Sequence, residues 1–399
     1  MSFEGKTVLL AVSGSIAAYK IAYLASALKK RHADVHVLMT KNATNFIHPI
    51  TFESLTGNKC LVDTFDRNFQ FQVEHVSIAK KADVVMIAPA SANVIGKLAH
   101  GIADDMLTTT IMACKCKKFI SPAMNTNMYE NQVTQDNLST LIRYGWEVIK
   151  PASGRLACGA EGKGKLPEPE VLVQYILHSI ALPHDLSGKK VLVTAGPTQE
   201  ALDPVRYLTN HSTGKMGYAI AKMAMLRGAD VTLITGPTNI PTPPFVNVIK
   251  VVSAKDMFDA VTKHFGDTDF VFKAAAVADY TPAEYSTQKI KKNSADLAIS
   301  LERTQDILGF LGENKHAGQI ICGFSMETEN MLDNSRAKLV KKNVHMICSN
   351  SLTQKGAGFA GDTNILTLIT RDHAVELPLL SKEAAANEII NQALNLYKR

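Results

Sequence analysis

Two stretches of the chain begin with the same pattern of apolar and polar positions. Residues 5–15 and residues 188–198 each pass from a Gly-Lys turn into a short apolar run and leave it through a glycine-containing turn. An amphipathic helical pattern and an Ala-Asp-Val strand, starting at Ala33 or Ala229, follow in each case. Such apolar runs are typical of parallel strands buried on both faces, and the turn after each places backbone N–H groups at a helix N-terminus. The pattern predicts an α/β chain with two Rossmann-like, doubly wound parallel-sheet domains, each with an anion site near its first turn.

A break is predicted between the two halves of the chain. After Pro169 an apolar helical pattern runs to Leu182, and a polar stretch that starts with Pro183 leads into the second Gly-Lys turn. We therefore predict domains at residues 1–183 and 186–399. A chain of 399 residues is long enough for two domains with full cores.

Composition limits the classes of protein to which the chain can belong. A hydrophobic content of 46% and a charged content of 20% are ordinary for a soluble globular protein. The net charge of +6 is not concentrated in a tail, so it favours anionic small molecules over nucleic acid as partners. The sequence has no signal-peptide pattern and no apolar run near the ~20 residues that span a bilayer, which predicts a cytoplasmic protein without membrane attachment. Six scattered cysteines predict reduced thiols rather than a disulfide framework.

The first turn of the first domain indicates a phosphate site. Ser13, Gly14 and Ser15 follow the predicted strand Val8–Val12. A dinucleotide fingerprint would need three glycines and an acidic residue at the end of the second strand, and both are missing, because that strand ends in Thr-Lys at Thr40. These departures disfavour an NAD-dependent oxidoreductase. Hydroxyl groups at a helix N-terminus suit a phosphate monoester instead, and flavin mononucleotide (FMN) is the candidate.

Small and polar residues also follow a later predicted strand of this domain. The strand Val84–Ile87 leads into Ala88–Asn93, at the carboxyl end of the strand, where open α/β sheets bind ligands. The stretch Gly101–Asp105 is predicted to open the next helix. The candidate FMN contacts are Ser13, Gly14, Ser15, Ile16, Thr40, Ser91, Asn93, Ala103 and Asp104.

Three separated motifs of the first domain point to one chemistry when they are taken together. They are a Glu-His pair at His75, the run Pro122-Ala-Met-Asn-Thr-Asn-Met128, and the glycine-rich stretch Gly154–Gly164. In this order they resemble the flavin-dependent cysteine decarboxylases, which act on phosphopantothenoylcysteine and on peptidyl cysteines. Tyr129 and Lys165 depart from the tryptophan and arginine that are common in that family.

The resemblance implies a flavodoxin-like fold with bound FMN and a role for one residue of each motif. His75 would be the base, Asn125 would hold the substrate carboxylate, and Cys158 would donate a proton from a flexible lid. A lone histidine or cysteine is more often structural than catalytic. The alternative is therefore a flavin-binding regulatory protein of the same fold without turnover, but such relatives tend to lose the histidine or the cysteine, and this chain keeps both.

The second domain contains a Gly-Lys pair at Gly214 that invites comparison with a P-loop. The comparison fails because Thr209 occupies the first glycine position and Met216 replaces the required serine or threonine. We predict instead that Gly214 and Gly217 open a helix over Tyr218–Arg227 against an anionic ligand.

Further motifs of the second domain resemble the bacterial, cytidylate-forming phosphopantothenate–cysteine ligase domain. The most specific are Asp-Pro-Val-Arg206, Asn210, Ala-Ala-Val-Ala-Asp279 and the Lys-Ile-Lys-Lys run that starts at Lys289. The run Gly-Phe324-Ser-Met-Glu-Thr departs from the usual Gly-Phe-Ala-Ala-Glu-Thr. Over essentially the whole chain, the order of motifs resembles the family of bifunctional phosphopantothenoylcysteine decarboxylase/phosphopantothenate–cysteine ligases of coenzyme A synthesis.

This resemblance implies an enzyme that ligates 4′-phosphopantothenate to L-cysteine with CTP and then decarboxylates the product. Lys289 would neutralise charge as the carboxylate attacks the α-phosphate, with help from Mg²⁺ held mainly by the CTP phosphates, for which Asp279 is a candidate ligand. Asn210 would hold the acyl-cytidylate carbonyl. A homo-oligomer of ligase dimers and decarboxylase trimers or larger shells is also implied. The implied CTP contacts are Lys273, Ala274, Ala275, Asp279, Lys289, Gln305, Asp306, Ile307, Leu308, Phe324, Lys338 and Lys342.

Overall fold

The structure is a computed structural model that describes residues 1–64, 74–155, 159, 161–291, 298–327, 330–351 and 361–398. Contacts within the chain divide it into two compact units, Met1–Leu182 and Pro183–Arg399. Within these described ranges, none of the helices combines the length and the apolar character that crossing a bilayer requires.

The first unit alternates strands with helices along the chain. Two short 3₁₀ helices, Ile16–Ala18 and Lys41–Asn45, follow its first two strands. In chain order its strands and α-helices are β1 (Thr7–Val12), α1 (Tyr19–Lys29), β2 (Asp34–Met39), α2 (Pro49–Thr56), α3 (Glu74–Lys81), β3 (Val84–Ala90), α4 (Ala92–Ala99), α5 (Met106–Ala113), β4 (Lys117–Pro122), α6 (Thr126–Glu130), α7 (Gln132–Arg143), β5 (Glu147–Val148), β6 (Ala152–Arg155), β7 (Glu161–Lys165) and α8 (Pro169–Ile180).

A parallel sheet with the strand order β2-β1-β3-β4-β5 forms the centre of the first unit. Leu9, Val85 and Ile120 on its central strands are fully buried in one core cluster. The single tryptophan of the chain, Trp146, is partly buried against the same cluster. The strand order is that of flavodoxin-like folds, in which the order of the strands along the sheet reverses between the first and third strands. The predicted parallel α/β fold of this half is therefore confirmed.

The glycine-rich stretch after β5, which the resemblance implies is a flexible lid, contributes two paired strands. β6 and β7 pair antiparallel, with Arg155 opposite Glu161 and a shift of register after Ala152. Backbone pairing can hold a glycine-rich strand, because the hydrogen bonds of a ladder do not depend on side chains.

The second unit repeats the alternation of strands and helices. In chain order its elements are β8 (Lys190–Ala195), β9 (Gln199–Ala201), β10 (Tyr207–Thr209), α9 (Lys215–Leu226), β11 (Asp230–Thr235), β12 (Asn247–Lys250), α10 (Ala254–Phe265), β13 (Phe270–Lys273), β14 (Tyr280–Pro282), β15 (Leu301–Arg303), α11 (Ile307–Asn314), β16 (Ile320–Glu327), α12 (Met331–Lys341), β17 (Met346–Ser351), β18 (Thr363–Asn364), β19 (Leu366–Ile369), β20 (Ala374–Glu376), β21 (Leu380–Ser381) and α13 (Lys382–Tyr397).

The main sheet of the second unit has the strand order β12-β11-β8-β13-β16-β17-β19-β20. Its strands are parallel from β12 to β17, whereas β19 and β20 are antiparallel additions. Counted from the start of the unit, the parallel strands lie in the order 3-2-1-4-5-6, which is the doubly wound order of dinucleotide-binding folds. This confirms the Rossmann-like prediction and places the switch point between β8 and β13.

The helix after the second opening strand starts earlier than the sequence predicted. α9 begins at Lys215, directly after Gly214, whose φ of 81° suits glycine. Gly214 therefore opens the helix as predicted, whereas the predicted start at Tyr218 is wrong by one turn and Gly217 lies within the first turn. A Cβ atom on Gly217 would lie 2.6 Å from the Cβ of Ala195 on β8. Gly217 thus allows the first turn of α9 to pack closely on the strand.

The start of the second unit is fixed to its own helices by a buried arginine. The side chain of Arg227 is 6% exposed, and its Nη2 atom lies 2.6 Å from Oδ2 of Asp185. Its Nη1 atom donates to Oδ1 of Asn391 on α13 at 2.8 Å, and Leu186 N donates to the Arg227 carbonyl at 3.0 Å. Asp185 and Leu186 therefore belong to the packed second unit.

Candidate active sites

The switch point of the first unit is held together by one serine. The buried Ser13 hydroxyl donates to the carbonyl oxygen of Pro89 at 2.7 Å and accepts the N–H of Ser91 at 2.8 Å. It therefore joins the turn after β1 to the turn after β3. In folds with this strand order, ligands bind in the crevice at these two carboxyl ends.

Three hydroxyl groups cap helices around this crevice. Ser15, Thr40 and Ser91 each accept a backbone N–H of the helix that they open, at 3.4, 3.2 and 3.4 Å. A Cβ atom on Gly14 would lie 2.9 Å from the Cβ of Asn42, so the turns after β1 and β2 approach each other closely. The crevice thus gathers helix N-termini and small residues, which suits a phosphate group and fits the flavin that the sequence predicts.

The remaining candidate flavin contacts are exposed. Ile16 and Asn93 lie at the starts of the 3₁₀ helix after β1 and of α4, and Ala103 precedes α5. The carboxylate of Asp104 lies 2.6 Å from Nζ of Lys97, and this ion pair lowers the pKa of Asp104. A flavin contact through that carboxylate would have to break the ion pair, so the contacts of these four residues stay predictions.

The hairpin of β6 and β7 touches the turn that carries Asn125. Met124 N donates to the Gly164 carbonyl at 3.1 Å. Gly164 has a φ of 136°, and a Cβ atom there would overlap the carbonyl oxygen of Met124. The base of the hairpin and the Asn125 turn are therefore fixed together by a contact that only glycine allows.

The three candidate catalytic residues of the first unit are described to different extents. Asn125 is exposed and caps α6, with its Oδ1 accepting the Asn127 N–H at 2.9 Å. His75 is half-buried in the first turn of α3. Cys158 lies outside the described residues, so its place beyond β6 rests on sequence alone. The roles of all three stay predictions.

A cleft at the carboxyl ends of β13 and β16 gathers most of the predicted CTP contacts. The segments just before β14 and just after β15 form one wall, and the end of α12 supplies two lysines. Its lining includes Lys273, Asp279, Gln305, Asp306, Ile307, Leu308, Phe324, Lys338 and Lys342, together with Val277, Ala278, Tyr280, Arg303 and Thr304, which the sequence analysis missed.

Lysine side chains give this cleft, which we call the nucleotide cleft after the ligand that the sequence predicts for it, its electrostatic character. Burial, with help from the ammonium groups of Lys338 and Lys342, lowers the pKa of Lys273 to about 8, although Asp279 and Asp306 act in the opposite direction. Burial disfavours the Asp306 carboxylate, but its ion pair with Lys342 and the N–H of Gly309 outweigh this effect and lower its pKa. The cleft therefore presents more cationic than anionic groups to a ligand.

A second pocket lies at the switch point between β8 and β13, beside the nucleotide cleft. Phe324 lines both, whereas Ala274 and Ala275, which the sequence placed with CTP, line the second pocket. The N-terminus of α9 opens into it, with lysines from two helices. Its polar lining is Ser212, Thr213, Lys215, Ser325, Asn350, Asn364 and Lys382.

Two buried side chains of this second pocket can contact a polar ligand. The side-chain oxygen Oδ1 of Asn350 is buried and has no hydrogen-bond partner among the described residues. Lys382 is 7% exposed and donates to the Gly361 carbonyl at 2.6 Å. The sequence analysis missed both, although Asn350 lies at the carboxyl end of the apolar strand β17, which is a detectable signal.

The structure explains part of the departure from the family motif at Ser325 and Met326. The Ser325 hydroxyl lies 2.8 Å from that of Ser335, which donates to Ser349 at 3.1 Å, and all three are buried. The serine thus joins a chain of hydroxyls inside the unit. Met326 lines the second pocket, so the larger side chain changes the shape of that pocket.

The two remaining candidates of the second unit lie on exposed segments. Asn210 follows β10, and its Nδ2 donates to the Ala276 carbonyl at 3.1 Å, next to the second pocket. Lys289 is exposed on the segment after β14 and lines neither the cleft nor the pocket. Over the ranges that the structure covers, no three His, Cys, Asp or Glu side chains gather into a metal site.

Comparison with known proteins assigns a family to each half of the chain. Residues 2–181 match the family model "Flavoprotein", and residues 186–396 match "DNA/pantothenate metabolism flavoprotein C-terminal domain". The chain is 45% identical over 402 residues to the coenzyme A biosynthesis bifunctional protein CoaBC of Bacillus subtilis (strain 168), covering 99% of this chain and 98% of the relative.

Two further similarities cover the whole chain or its second half. The CoaBC protein of Escherichia coli (strain K12) is 38% identical over 400 residues, covering 100% of this chain and 98% of the relative. The crystal structure of a C-terminal domain of a CoaBC protein is 44% identical, covers 54% of this chain and 98% of its own, and gives a TM-score of 0.46. The full-length matches show that the chain belongs to the CoaBC family of bifunctional enzymes of coenzyme A biosynthesis, with a decarboxylase flavoprotein domain followed by a ligase domain.

Proposed function

We propose that the second unit joins 4′-phosphopantothenate to L-cysteine with CTP as the activating nucleotide. A carboxylate oxygen of 4′-phosphopantothenate attacks the α-phosphorus of CTP, and pyrophosphate leaves, so that an acyl-cytidylate forms. The amine nitrogen of cysteine then attacks the acyl carbon and loses a proton, and CMP leaves. The observation that carries the proposal is the lysine-lined nucleotide cleft with a second cationic pocket beside it.

Lysines of the nucleotide cleft bind the triphosphate of CTP. Lys338 and Lys342 come from one helix four residues apart, so their ammonium groups lie on the same face and can contact neighbouring phosphates. A phosphate near Lys342 would compete with Asp306 for the same ammonium group. Point charges on flexible stems suit this task, because lysine ammonium groups can follow phosphate oxygens that move during the reaction.

The second pocket receives the phosphate of 4′-phosphopantothenate. The positive end of the α9 dipole attracts an anion, and Lys382 adds a positive charge nearby. The unpartnered Oδ1 of Asn350 can accept a hydrogen bond from the pantothenate hydroxyl or amide. Because Phe324 separates this pocket from the nucleotide cleft, a substrate in the pocket can extend its carboxylate past that ring toward CTP.

Lys289 and Asn210 act at the reacting atoms in this proposal. Lys289 neutralises charge that develops as the carboxylate attacks the α-phosphate. Asn210 holds the carbonyl oxygen of the acyl-cytidylate while the cysteine amine attacks. Mg²⁺ is proposed as a companion of the CTP phosphates. Because no protein ligand cluster supports a resident ion in the described ranges, no step here depends on it.

The first unit decarboxylates the ligation product at the crevice between β1 and β3, with FMN as the proposed cofactor. When bound, FMN would supply the two-electron oxidation of the cysteine moiety, which stabilises the electron pair left behind as the carboxylate departs as carbon dioxide, and the matching reduction afterwards. Ser15, Thr40 and Ser91 hold its phosphate end together with the helix N-termini that they cap, while Ser13 keeps the two turns in place.

Three side chains of the first unit orient the substrate and move protons. His75 removes a proton, since an imidazole can act as a base near neutral pH. Asn125 orients the carboxylate through a neutral amide, which avoids the tight ion pair that would oppose the loss of carbon dioxide. Cys158 delivers a proton to the product. The contact of Gly164 with the Asn125 turn supports a part for the β6–β7 hairpin at this site.

Exposed apolar side chains support the proposed homo-oligomer. Val205, Tyr207 and Leu301 are 58%, 49% and 47% exposed on or beside the small strands β10 and β15 of the second unit. Large apolar side chains exposed to solvent favour a surface that a second copy of the chain covers. Light scattering of the full chain measures its mass, and a monomer at micromolar concentration would contradict the proposed assembly.

One experiment tests both proposed activities. The purified full chain is mixed with 4′-phosphopantothenate, L-cysteine and either CTP or ATP, and pyrophosphate, CMP and carbon dioxide are measured over time. We expect pyrophosphate with CTP before any carbon dioxide, and yellow protein with flavin absorption bands. Carbon dioxide from phosphopantothenoylcysteine without any bound flavin would refute the cofactor assignment. Equal rates with ATP would refute the assignment of CTP.

A further inference from the structure

A buried carboxylate closes the turn at residues 202–206. The side chain of Asp203 is 0% exposed, and its Oδ1 accepts the backbone N–H groups of Val205 and Arg206, both at 2.8 Å. The turn is also closed by the Leu202 N–H, which donates to the Arg206 carbonyl at 2.8 Å. One carboxylate oxygen of Asp203 is therefore used by the hydrogen bonds of the turn itself.

The other oxygen of Asp203 reaches a distant segment. Oδ2 accepts the N–H of Ile290 at 3.1 Å and also binds Nε and Nη2 of Arg206, at 3.0 and 2.6 Å. The same Nη2 atom donates to the carbonyl oxygen of Ile290 at 2.7 Å. The ion pair of Asp203 and Arg206 thus binds both the N–H and the carbonyl oxygen of Ile290. We call this arrangement the Ile290 clamp.

The Ile290 clamp has a second attachment a few residues earlier. The backbone N–H of Ser286 donates to the Leu202 carbonyl at 3.0 Å. The Ser286 hydroxyl donates to the Gln288 carbonyl at 2.6 Å. Burial of Asp203 opposes its charge, but the N–H groups of Arg206, Val205 and Ile290 outweigh this and hold its pKa well below the usual range. The clamp stays charged at neutral pH, and charge-assisted hydrogen bonds are the stronger kind.

The Ile290 clamp fixes the backbone next to Lys289. Consecutive Cα atoms are about 3.8 Å apart, so an anchored Ile290 limits where the backbone of Lys289 can lie. Asp203 itself lines neither the nucleotide cleft nor the second pocket. Any influence of Asp203 on ligation must therefore pass through another residue.

We propose that Asp203 is a positioning residue for ligation, which holds the backbone of Ile290 so that Lys289 reaches the reacting phosphate. The inference rests on the proposed role of Lys289. A group that is displaced by about 1 Å can lose on the order of 10²-fold in rate. Removal of the clamp therefore lowers the turnover of cytidylate formation more than it changes the KM for CTP, which depends on the lysines of the cleft.

The variant Asp203→Asn separates the clamp from the turn. Asparagine keeps an oxygen that can accept the N–H groups of Val205 and Arg206. Its Nδ2 group, however, is a donor opposite the donors of Ile290 and Arg206, so the clamp cannot form. Asp256→Asn is a matched control, because the Asp256 carboxylate also accepts two backbone N–H groups in this unit but lies at the start of α10.

The test is a double-mutant cycle in the full chain, with pyrophosphate release from CTP and 4′-phosphopantothenate as the readout. Asp203→Asn is expected to lower kcat about 10- to 100-fold and to change the KM for CTP less than threefold, with decarboxylation of added phosphopantothenoylcysteine unchanged. In the Lys289→Gln background, the same substitution is expected to change the residual rate less than threefold, because the residue that it positions is gone. Asp256→Asn is expected to release pyrophosphate at a rate within twofold of that of the unaltered protein.

Several results would overturn the inference. Full turnover by Asp203→Asn, or losses that multiply when Asp203→Asn and Lys289→Gln are combined, would reduce Asp203 to a structural residue. If Asp203→Asn does not fold, Arg206→Lys takes its place in the cycle, since lysine keeps the charge beside Asp203 but lacks the fork that also binds Ile290. Normal cytidylate formation by Lys289→Gln alone would refute the proposed role of Lys289, an outcome that is distinct from failure of the clamp.

Discussion

Lys289 and Lys291 are exposed lysines of one short segment, yet only Lys289 is proposed to act on a phosphate. A positive charge beside developing phosphoryl charge contributes on the order of 10²–10³ in rate. We expect Lys289→Gln to lose that factor in pyrophosphate release and to decarboxylate normally, while Lys291→Gln keeps both activities. Parallel assays of the two variants compare them directly, and equal losses would mean that the segment contributes only general positive charge.

The lowered pKa of Lys273 predicts how CTP binding depends on pH. A bound phosphate favours the ammonium form, and Lys273 loses its proton near pH 8 in the free protein. CTP should therefore bind with undiminished affinity well below pH 8 and weaken, on the order of tenfold, as the pH rises through about 8 to 10. Calorimetric titration between pH 7 and pH 9.5 measures this slope.

Two variants isolate the contribution of Lys273 to that slope. Lys273→Met should bind CTP weakly at every pH and lose the slope. Lys342→Met removes a different ammonium group from the same cleft and should bind weakly but keep the slope. A slope that survives in Lys273→Met would assign the titration to another group.

At the scale of elements, the hairpin of β6 and β7 allows a matched pair of glycine substitutions. Gly154 and Gly164 both have a positive φ, at 143° and 136°, but a Cβ atom on Gly154 meets nothing within 4 Å. Both alanine variants incur a similar backbone cost, on the order of 1–3 kcal/mol. Only Gly164→Ala also pushes the hairpin away from the Met124 carbonyl.

We therefore expect Gly164→Ala to reduce decarboxylation on the order of 10²-fold and Gly154→Ala to reduce it much less. Ligation should be unaffected in both, since the hairpin belongs to the first unit. Rates of carbon dioxide and pyrophosphate release from each variant decide the matter. Equal decarboxylation by the two variants would show that the close contact with Met124 has no part in activity.

The elements show how far sequence reasoning reached and where it stopped. Buried parallel strands such as β1 and β13 were predictable, because a continuous apolar run has few other stable environments. The start of α9 was missed by one turn, since Gly217 reads as a helix opening in sequence but is required by the packing of α9 on Ala195. The sequence predicted an anion site at the start of α9, where the second pocket lies, but it missed Asn350 and Lys382, because these residues reach the pocket only through the strand order.

At the scale of the whole molecule, the structure predicts where the chain can be cut to give a stable fragment of the second unit. A fragment that begins at residue 186, as the sequence and the family model both suggest, would lose Asp185 and leave Arg227 buried without its carboxylate partner. Loss of a charged hydrogen-bond partner costs about 1–3 kcal/mol, and the partial exposure of Asp185 favours the lower end. We expect residues 183–399 to be more stable than residues 186–399 and both to ligate.

Thermal unfolding of the two fragments measures that difference, and Asp185→Asn in the full chain provides the control without any truncation. The variant should lower the midpoint of the second unit as the shorter fragment does. Identical midpoints for both fragments would show that the Arg227 ion pair does not stabilise the unit.

The position of the single tryptophan has a spectroscopic consequence. Trp146 packs against the core of the decarboxylase unit, and the ligase unit contains no tryptophan. Fluorescence excited at wavelengths that only tryptophan absorbs therefore reports the unfolding of one unit within the intact chain, while circular dichroism records both. A comparison of the two signals separates the two stabilities without cutting the chain, and a stability change confined to the ligase unit should leave the emission spectrum unaltered.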